Sequence, residues 1–156
     1  MTTNTTELSI IYEWHKMLLD NSAGCAQLKR CKSLNSVFFI PEYHRLYQRL
    51  SKTKWKHRNR IALLAIILSH VEKHIETSLG DQMAESKSSG SPKVSLLRFQ
   101  RLLEPDDPET QLTAFIRLIH LLKQEVNIDN LSRLIYYWSN QRRELAFHYY
   151  KALPET

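Results

Sequence analysis

The sequence predicts an all-α protein, and three observations carry that prediction. Only three glycines, Gly24, Gly80 and Gly90, occur in 156 residues, whereas tight strand turns, bulges and phosphate-cradling loops depend on glycine. Apolar residues recur at spacings of three and four along most of the chain, the period of a one-sided helix. Hydrophobic residues make up 42% and charged residues 24%, a balance that supports a buried core rather than disorder. The length suits one domain, or two small helical lobes sharing a core. The expected architecture is a two-lobed helical bundle of about seven to eight helices. Its lobes fall at residues 1–79 and 93–156, joined by a flexible Ser/Gly linker at 80–92.

Taken in order, Ile10, Ile11, Trp14, Met17 and Leu18 mark a first helix ending near the turn-forming pair Asp20-Asn21. A short helix carrying Cys25, Leu28 and Cys31 follows; two cysteines without a second pair match neither a disulfide framework nor a four-ligand zinc site, so both read as half-buried. Pro41, after Val37-Phe-Phe-Ile, sits where a first-turn proline belongs, and Tyr43, Leu46, Tyr47 and Leu50 supply the next buried stripe. A long helix is expected from about residue 54 to 78, and its middle, Ile61-Ala-Leu-Leu-Ala-Ile-Ile-Leu, is apolar on nearly every side and therefore central. The small polar residues of 80–92 cannot repay the entropy of ordering, which predicts mobility there. A helix over 96–103 precedes the break Glu104-Pro-Asp-Asp-Pro. The next runs from about residue 109 to 124, capped by Asp106 or Asp107 with Pro108 in its first turn. Asp129 reads as the cap of a last helical region reaching Ala152, bent near Ser139-Asn140.

Several classes of function recede. There is no Gly-x-Gly-x-x-Gly, no P-loop and no Gly-x-Ser-x-Gly, so dinucleotide, nucleoside-triphosphate and serine-hydrolase chemistry have no foothold. Met1-Thr-Thr-Asn-Thr-Thr-Glu lacks the basic and apolar regions of a secretory leader. The apolar run 61–68 is far short of the ~20 residues of a membrane span, so a cytoplasmic protein with no membrane partner is expected. His70-x-x-x-His74 lacks the adjacent glutamate of metalloproteases, Val71 standing there, and no third ligand is indicated; neither metal nor cofactor is expected. Arg143-x4-His148 has the spacing of HEPN-type ribonucleases, in which arginine steadies the phosphate and histidine transfers protons, but so short a pattern arises by chance. No enzyme is expected.

Charge points to a polyanionic partner: the net charge is +6 and the sequence pI about 9.4. Between residues 29 and 60 stand Lys29, Arg30, Lys32, Arg45, Arg49, Lys52, Lys54, Lys56, Arg58 and Arg60 against the single acid Glu42. The run Lys52-Thr-Lys-Trp-Lys-His-Arg-Asn-Arg offers cations for phosphates and Trp55 for stacking on single-strand bases; the plainer alternative is a solvated helix start with Trp55 in the core. Cations at a helix amino terminus oppose its dipole, so something should compensate for them. Arg98 and Arg101 share a helix face. Arg117 edges an apolar series, where snorkelling is the ordinary explanation, and Arg142-Arg143 follow the aromatic group Tyr136-Tyr-Trp138.

The order of short motifs is that of a known family. Trp14-x-x-x-Leu18 with Asp20-Asn21, Cys25-Ala-Gln-Leu-Lys-Arg30 and Ile40-Pro-Glu-Tyr-x-Arg-Leu come first. Arg58-x-x-x-Ala62-Leu-Leu, Ser95-x-x-Arg98-Phe-x-x-Leu-Leu, Phe115-Ile-Arg-Leu-Ile and the segment Trp138 to Arg143 follow. Together they resemble CasB, the small-subunit family of the type I-E CRISPR Cascade surveillance complex, over nearly the whole chain. The resemblance implies a helical two-lobed subunit, present with a second copy of itself beside other Cascade subunits, guide RNA and target DNA. It also implies a non-catalytic role, that of holding an R-loop open by binding the displaced single strand and supporting the guide–target hybrid. Arg30, Arg58, Arg98, Arg117 and the Arg142-Arg143 pair match the family pattern, whereas the 52–56 run and the 80–92 segment are particular to this sequence. Lys29, Arg30, Lys52, Lys54, Lys56, Arg58, Arg60, Arg98, Arg101, Arg117, Arg142 and Arg143 are the expected nucleic-acid contacts. A helical DNA-binding adaptor or regulator is the alternative binder, and the HEPN-type ribonuclease the alternative enzyme.

Overall fold

Every residue from Ile61 to Ser69 is buried, so the helix that carries them, Arg58–Ser69, has no solvent face beyond its first turn. The computed structural model describes residues 5–154; residues 1–4, at the head of the stretch searched for a leader, and 155–156 lie outside the described residues. In chain order the elements are α1 (Thr5–Leu19), α2 (Ser22–Lys29), α3 (Leu34–Val37), α4 (Pro41–Leu50), α5 (Arg58–Ser69), β1 (Lys73–His74), α6 (Leu79–Ala84), α7 (Leu96–Leu103), α8 (Pro108–Leu121), β2 (Glu125–Val126), α9 (Ile128–Tyr136) and α10 (Trp138–Ala152). The all-α expectation holds, with only the two-residue parallel pair β1–β2 as strand among the described residues. There are more helices than the seven to eight expected because α3 and α6 are too short to show a period, and the last helical region divides in two. Helix α5 packs on α1 to α4 and also on α8 and α9, and one core cluster runs from Ile11 to Tyr149.

Local signals explain most helix starts. The Asn21 carboxamide oxygen accepts from Gly24 N at 3.1 Å and opens α2. Pro41 occupies the first turn of α4. Ser95 caps α7, and the Asp107 carboxylate accepts from both Thr110 N and Thr110 Oγ1, at 2.9 and 2.8 Å, ahead of Pro108. Asp129 is not the cap of α9. Asn127 is, accepting from Asn130 N at 3.0 Å, and Asp129 lies inside the first turn. The bend expected at Ser139-Asn140 falls instead at Tyr137, whose φ of −108° and ψ of 53° separate α9 from α10. On α1 the stripe is narrower than read: Ile11, Trp14 and Leu18 are buried, but Met17 is 62% exposed.

The long helix expected to residue 78 ends at Ser69. The next carbonyls are taken by distant side chains, His70 O by Gln124 Nε2 at 3.0 Å and Val71 O by His15 Nε2 at 2.7 Å. Glu72 N turns to Gln124 O at 2.8 Å. These tertiary bonds hold the chain extended into β1 and override helix propensity.

The expected flexible linker is corrected too. Residues 80–84 of that segment belong to α6, which buries Gly80, Gln82, Met83 and Ala84, with Leu79 just ahead of them, against α10. Its exit is tied by Val94 N to Met83 O at 2.9 Å and Lys93 N to Glu85 O at 2.7 Å, and Ser86 bridges Pro92. Small residues that read as disorder in composition allow helices to approach closely here: a Cβ on Gly80 would stand 2.7 Å from His148 Cβ. We therefore expect Gly80→Ala to destabilise the fold by about 1–3 kcal/mol through overpacking. The denaturant midpoint reports this, and an unchanged midpoint would contradict the close α6–α10 contact.

Candidate nucleic-acid interface

Most of the basic run lies ahead of the helix: residues 51–57 are irregular and only Arg58 to Arg60 stand in the first turn of α5. The shape of the irregular part comes from hydrogen bonds and aromatic contacts. Thr53 N and Thr53 Oγ1 both donate to Leu50 O, at 2.8 and 2.6 Å, and Thr53 Oγ1 accepts from Trp55 N at 3.1 Å. Trp55 is fully buried. Its ring stacks on Tyr136 with centroids 4.3 Å apart and planes within 4°, and its Nε1 donates to the Tyr137 hydroxyl at 2.9 Å. The Tyr136 hydroxyl accepts from Lys56 N at 2.9 Å and His57 N at 3.1 Å. His57 Nδ1 then caps α5 by accepting from Arg60 N at 3.2 Å. Trp55 is thus a core anchor rather than a platform for bases. Its burial fixes a short backbone strip from which Lys52, Lys54 and Lys56 reach solvent.

Arg58 and Arg60 part company. Successive alternate residues of a helix point about 200° apart, and here one is exposed while the other turns inward. Arg60 donates through Nε to Ile135 O at 2.8 Å and through Nη1 to Gln111 Oε1 at 2.7 Å, with Nη2 also on Ile135 O. Burial lowers its pKa from the usual arginine value. Arg60 therefore joins α5 to α8 and α9, and its place among the expected nucleic-acid contacts is withdrawn. Arg142 is partly committed as well, bonding Leu103 O at 3.2 Å and Asp106 Oδ1 at 3.1 Å and lying 5.7 Å over the Trp138 ring.

Lys29 and Arg30 are exposed at the end of α2, Arg98 and Arg101 on α7, Arg117 on α8 and Arg143 on α10. Helices α5 and α8 run the same way: Arg60 meets Gln111 near their starts and His70 meets His120 near their ends. Cys25 Sγ of α2 donates to Ser69 O at 3.4 Å, so the helix that carries Lys29 packs at the end of α5 away from Arg58, and α5 itself is about 18 Å long.

The other constellations come apart. His70 closes α5 and His74 lies in β1, so they share no helix face. Among the described residues no group of three or more His, Cys, Asp and Glu is placed to hold a metal. Arg143 and His148 are both exposed on α10, five positions and therefore about 140° apart around its axis, so they do not converge on one phosphate. Cys25 and Cys31 are free and buried, and burial pushes both thiols above the usual range. Sequence reading missed the tyrosine frame made by Tyr136, Tyr137 and Tyr47. The aromatic cluster at 136–138 was visible, but nothing local pairs it with Trp55, which lies 82 positions from Tyr137.

The sequence model of the family described as CRISPR-associated protein Cse2 matches residues 24–150. Among solved structures, a chain of E. coli Cascade bound to a PAM-containing dsDNA target (32-nt spacer) shares the fold. Its TM-score is 0.70 at 19% identity, over 92% of this chain and 95% of that one. Comparison with curated proteins gave no match.

One histidine of the set is open to a direct test. His70 is buried with Nε2 lacking a hydrogen-bond partner. Burial, with His120 and Lys29 nearby, lowers its pKa from 6.5 to about 4. The unfolded chain therefore binds this proton between those values and the folded chain does not, so His70's contribution to stability is complete above 6.5 and declines as pH falls toward 4. An NMR titration should place the His70 imidazole midpoint near 4; a midpoint near 6.5 would contradict its burial between α5 and α8.

Proposed function

The chain belongs to the CRISPR-associated Cse2 family, the CasB family its sequence motifs resemble, and from that premise we propose that it is the non-catalytic small subunit of type I-E Cascade. In this reading its partners are the other Cascade subunits, guide RNA, target DNA and a second copy of itself. Its role is to hold the displaced single strand and support the guide–target hybrid. The observation that carries the reading is the pinned segment 52–58, where Lys52, Lys54, Lys56 and Arg58 are exposed on a backbone held by Trp55 and Tyr136.

Exchange of a DNA duplex for an RNA–DNA hybrid is nearly balanced, so a few phosphate contacts to the freed strand tip it without base recognition. Cations on a rigid strip suit that role because phosphate contacts position nucleic acid and carry no sequence information. A helix that reads a duplex must be exposed to enter a groove, whereas α5, which the basic strip leads into, is buried beyond its first turn. Nuclease chemistry finds no support in the diverging Arg143 and His148.

Arg58→Ala tests the mechanism in a reconstituted guide-RNA complex. Target affinity should fall about equally for unrelated sequences, and the slope of log affinity against log salt should drop by roughly 0.7, the value of one single-strand phosphate contact. An unchanged slope with intact assembly, or a loss confined to one target sequence, would contradict phosphate binding by Arg58.

A further inference from the structure

The exposed arginines around α4 are held in two different ways. Arg45 pairs with Glu42 at 3.1 Å and Arg49 with Glu13 at 2.8 Å, so each has a carboxylate that neutralises it. Arg58 is held by aromatic rings. Its guanidinium carbon lies 5.8 Å from the Tyr47 ring centroid, and its Nε donates to the Tyr47 hydroxyl at 3.5 Å. Tyr47 stacks on Tyr43, with centroids 5.9 Å and planes 19° apart, and the Tyr43 hydroxyl donates to the Arg58 carbonyl at 3.0 Å. Main chain and side chain of Arg58 are therefore registered against the same pair of rings. Tyr43 is buried, Tyr47 half-buried and Arg58 exposed. Among the described residues no carboxylate pairs with Arg58, and no acceptor takes its terminal nitrogens.

A ring face attracts a guanidinium without cancelling its charge and without occupying the edge that binds phosphate. A carboxylate does both. Resting on the phosphate-binding reading above, we propose that Tyr47 is a positioning residue for nucleic-acid backbone: it orders the Arg58 guanidinium before a phosphate arrives and leaves its terminal nitrogens uncommitted. Ordering an arginine only at the moment of binding weakens affinity by about two- to tenfold. A cation–π contact at an exposed site is of matching size, about two- to fivefold, enough to supply much of that ordering in advance.

The test is a double-mutant cycle in the reconstituted guide-RNA complex, with a duplex target as probe and assembly checked for each variant. Tyr47→Phe keeps the ring and loses only the long hydroxyl contact, so affinity should stay within about twofold of wild type. Tyr47→Leu keeps an apolar group against Tyr43 but removes the ring face, and should weaken binding by about two- to fivefold. Placed on an Arg58→Ala background, Tyr47→Leu should add nothing. An equal loss on both backgrounds would show that Tyr47 acts independently of Arg58 and would overturn the inference, as would full affinity for Tyr47→Leu. Arg58→Ala without any effect would instead remove the phosphate-contact reading itself, and this inference with it.

Discussion

The stacking of Trp55 on Tyr136, closed by its hydrogen bond to Tyr137, is the constraint on which the proposed phosphate-binding surface depends. Lysines and arginines placed ahead of a helix repel one another and oppose the helix dipole, at about 0.3–1 kcal/mol each. A fully buried tryptophan is worth more, since removing such a ring costs about 3–5 kcal/mol. The anchor therefore outweighs the electrostatic penalty and holds the cations where they would otherwise disperse. His57 relieves part of it by accepting Arg60 N, and Arg60 is withdrawn into the protein to bond the end of α9. The remaining charge faces solvent uncompensated, which is the condition in which an incoming polyanion gains most.

The same anchor links local structure to the whole molecule. Trp55 precedes the buried helix α5, whose packing on both the early and the late helices makes one core. The position of the basic strip is thus set by α9 as much as by its own sequence. Arg58 gains a second reference in Tyr47 and Tyr43 of α4. Rigid placement from two sides makes the cations resemble a fixed track for phosphates more than a flexible tail.

Where local chemistry decides, the sequence was legible. Pro41, Asp107-Pro108 and the 96–103 period marked helices that the structure contains at those places. Where distant partners decide, it was not. Nothing near His70 says that Gln124 will take its carbonyl and stop α5. Nothing near Gly80 says that His148 will lie close enough to exclude a Cβ, so a packed helix read as a linker. The candidate site divides in the same way. Its concentration of charge was plain from composition, but Arg58 and Arg60 look alike in sequence, and only the helical rotation between them and the acceptors Ile135 and Gln111 separate the exposed cation from the structural one. Trp55 was weighed as core or stacking platform, and the partners that place it in the core are remote in sequence.

The most direct measure of the central claim is the lifetime of the displaced strand, followed by permanganate reactivity of its thymines in a reconstituted guide-RNA complex. The comparison is between wild-type protein and a variant with Lys52, Lys54, Lys56 and Arg58 all replaced by Ala, both confirmed to assemble. If the pinned strip holds the strand backbone, the variant complex should close sooner on every target sequence tried. Equal lifetimes with intact assembly would contradict it.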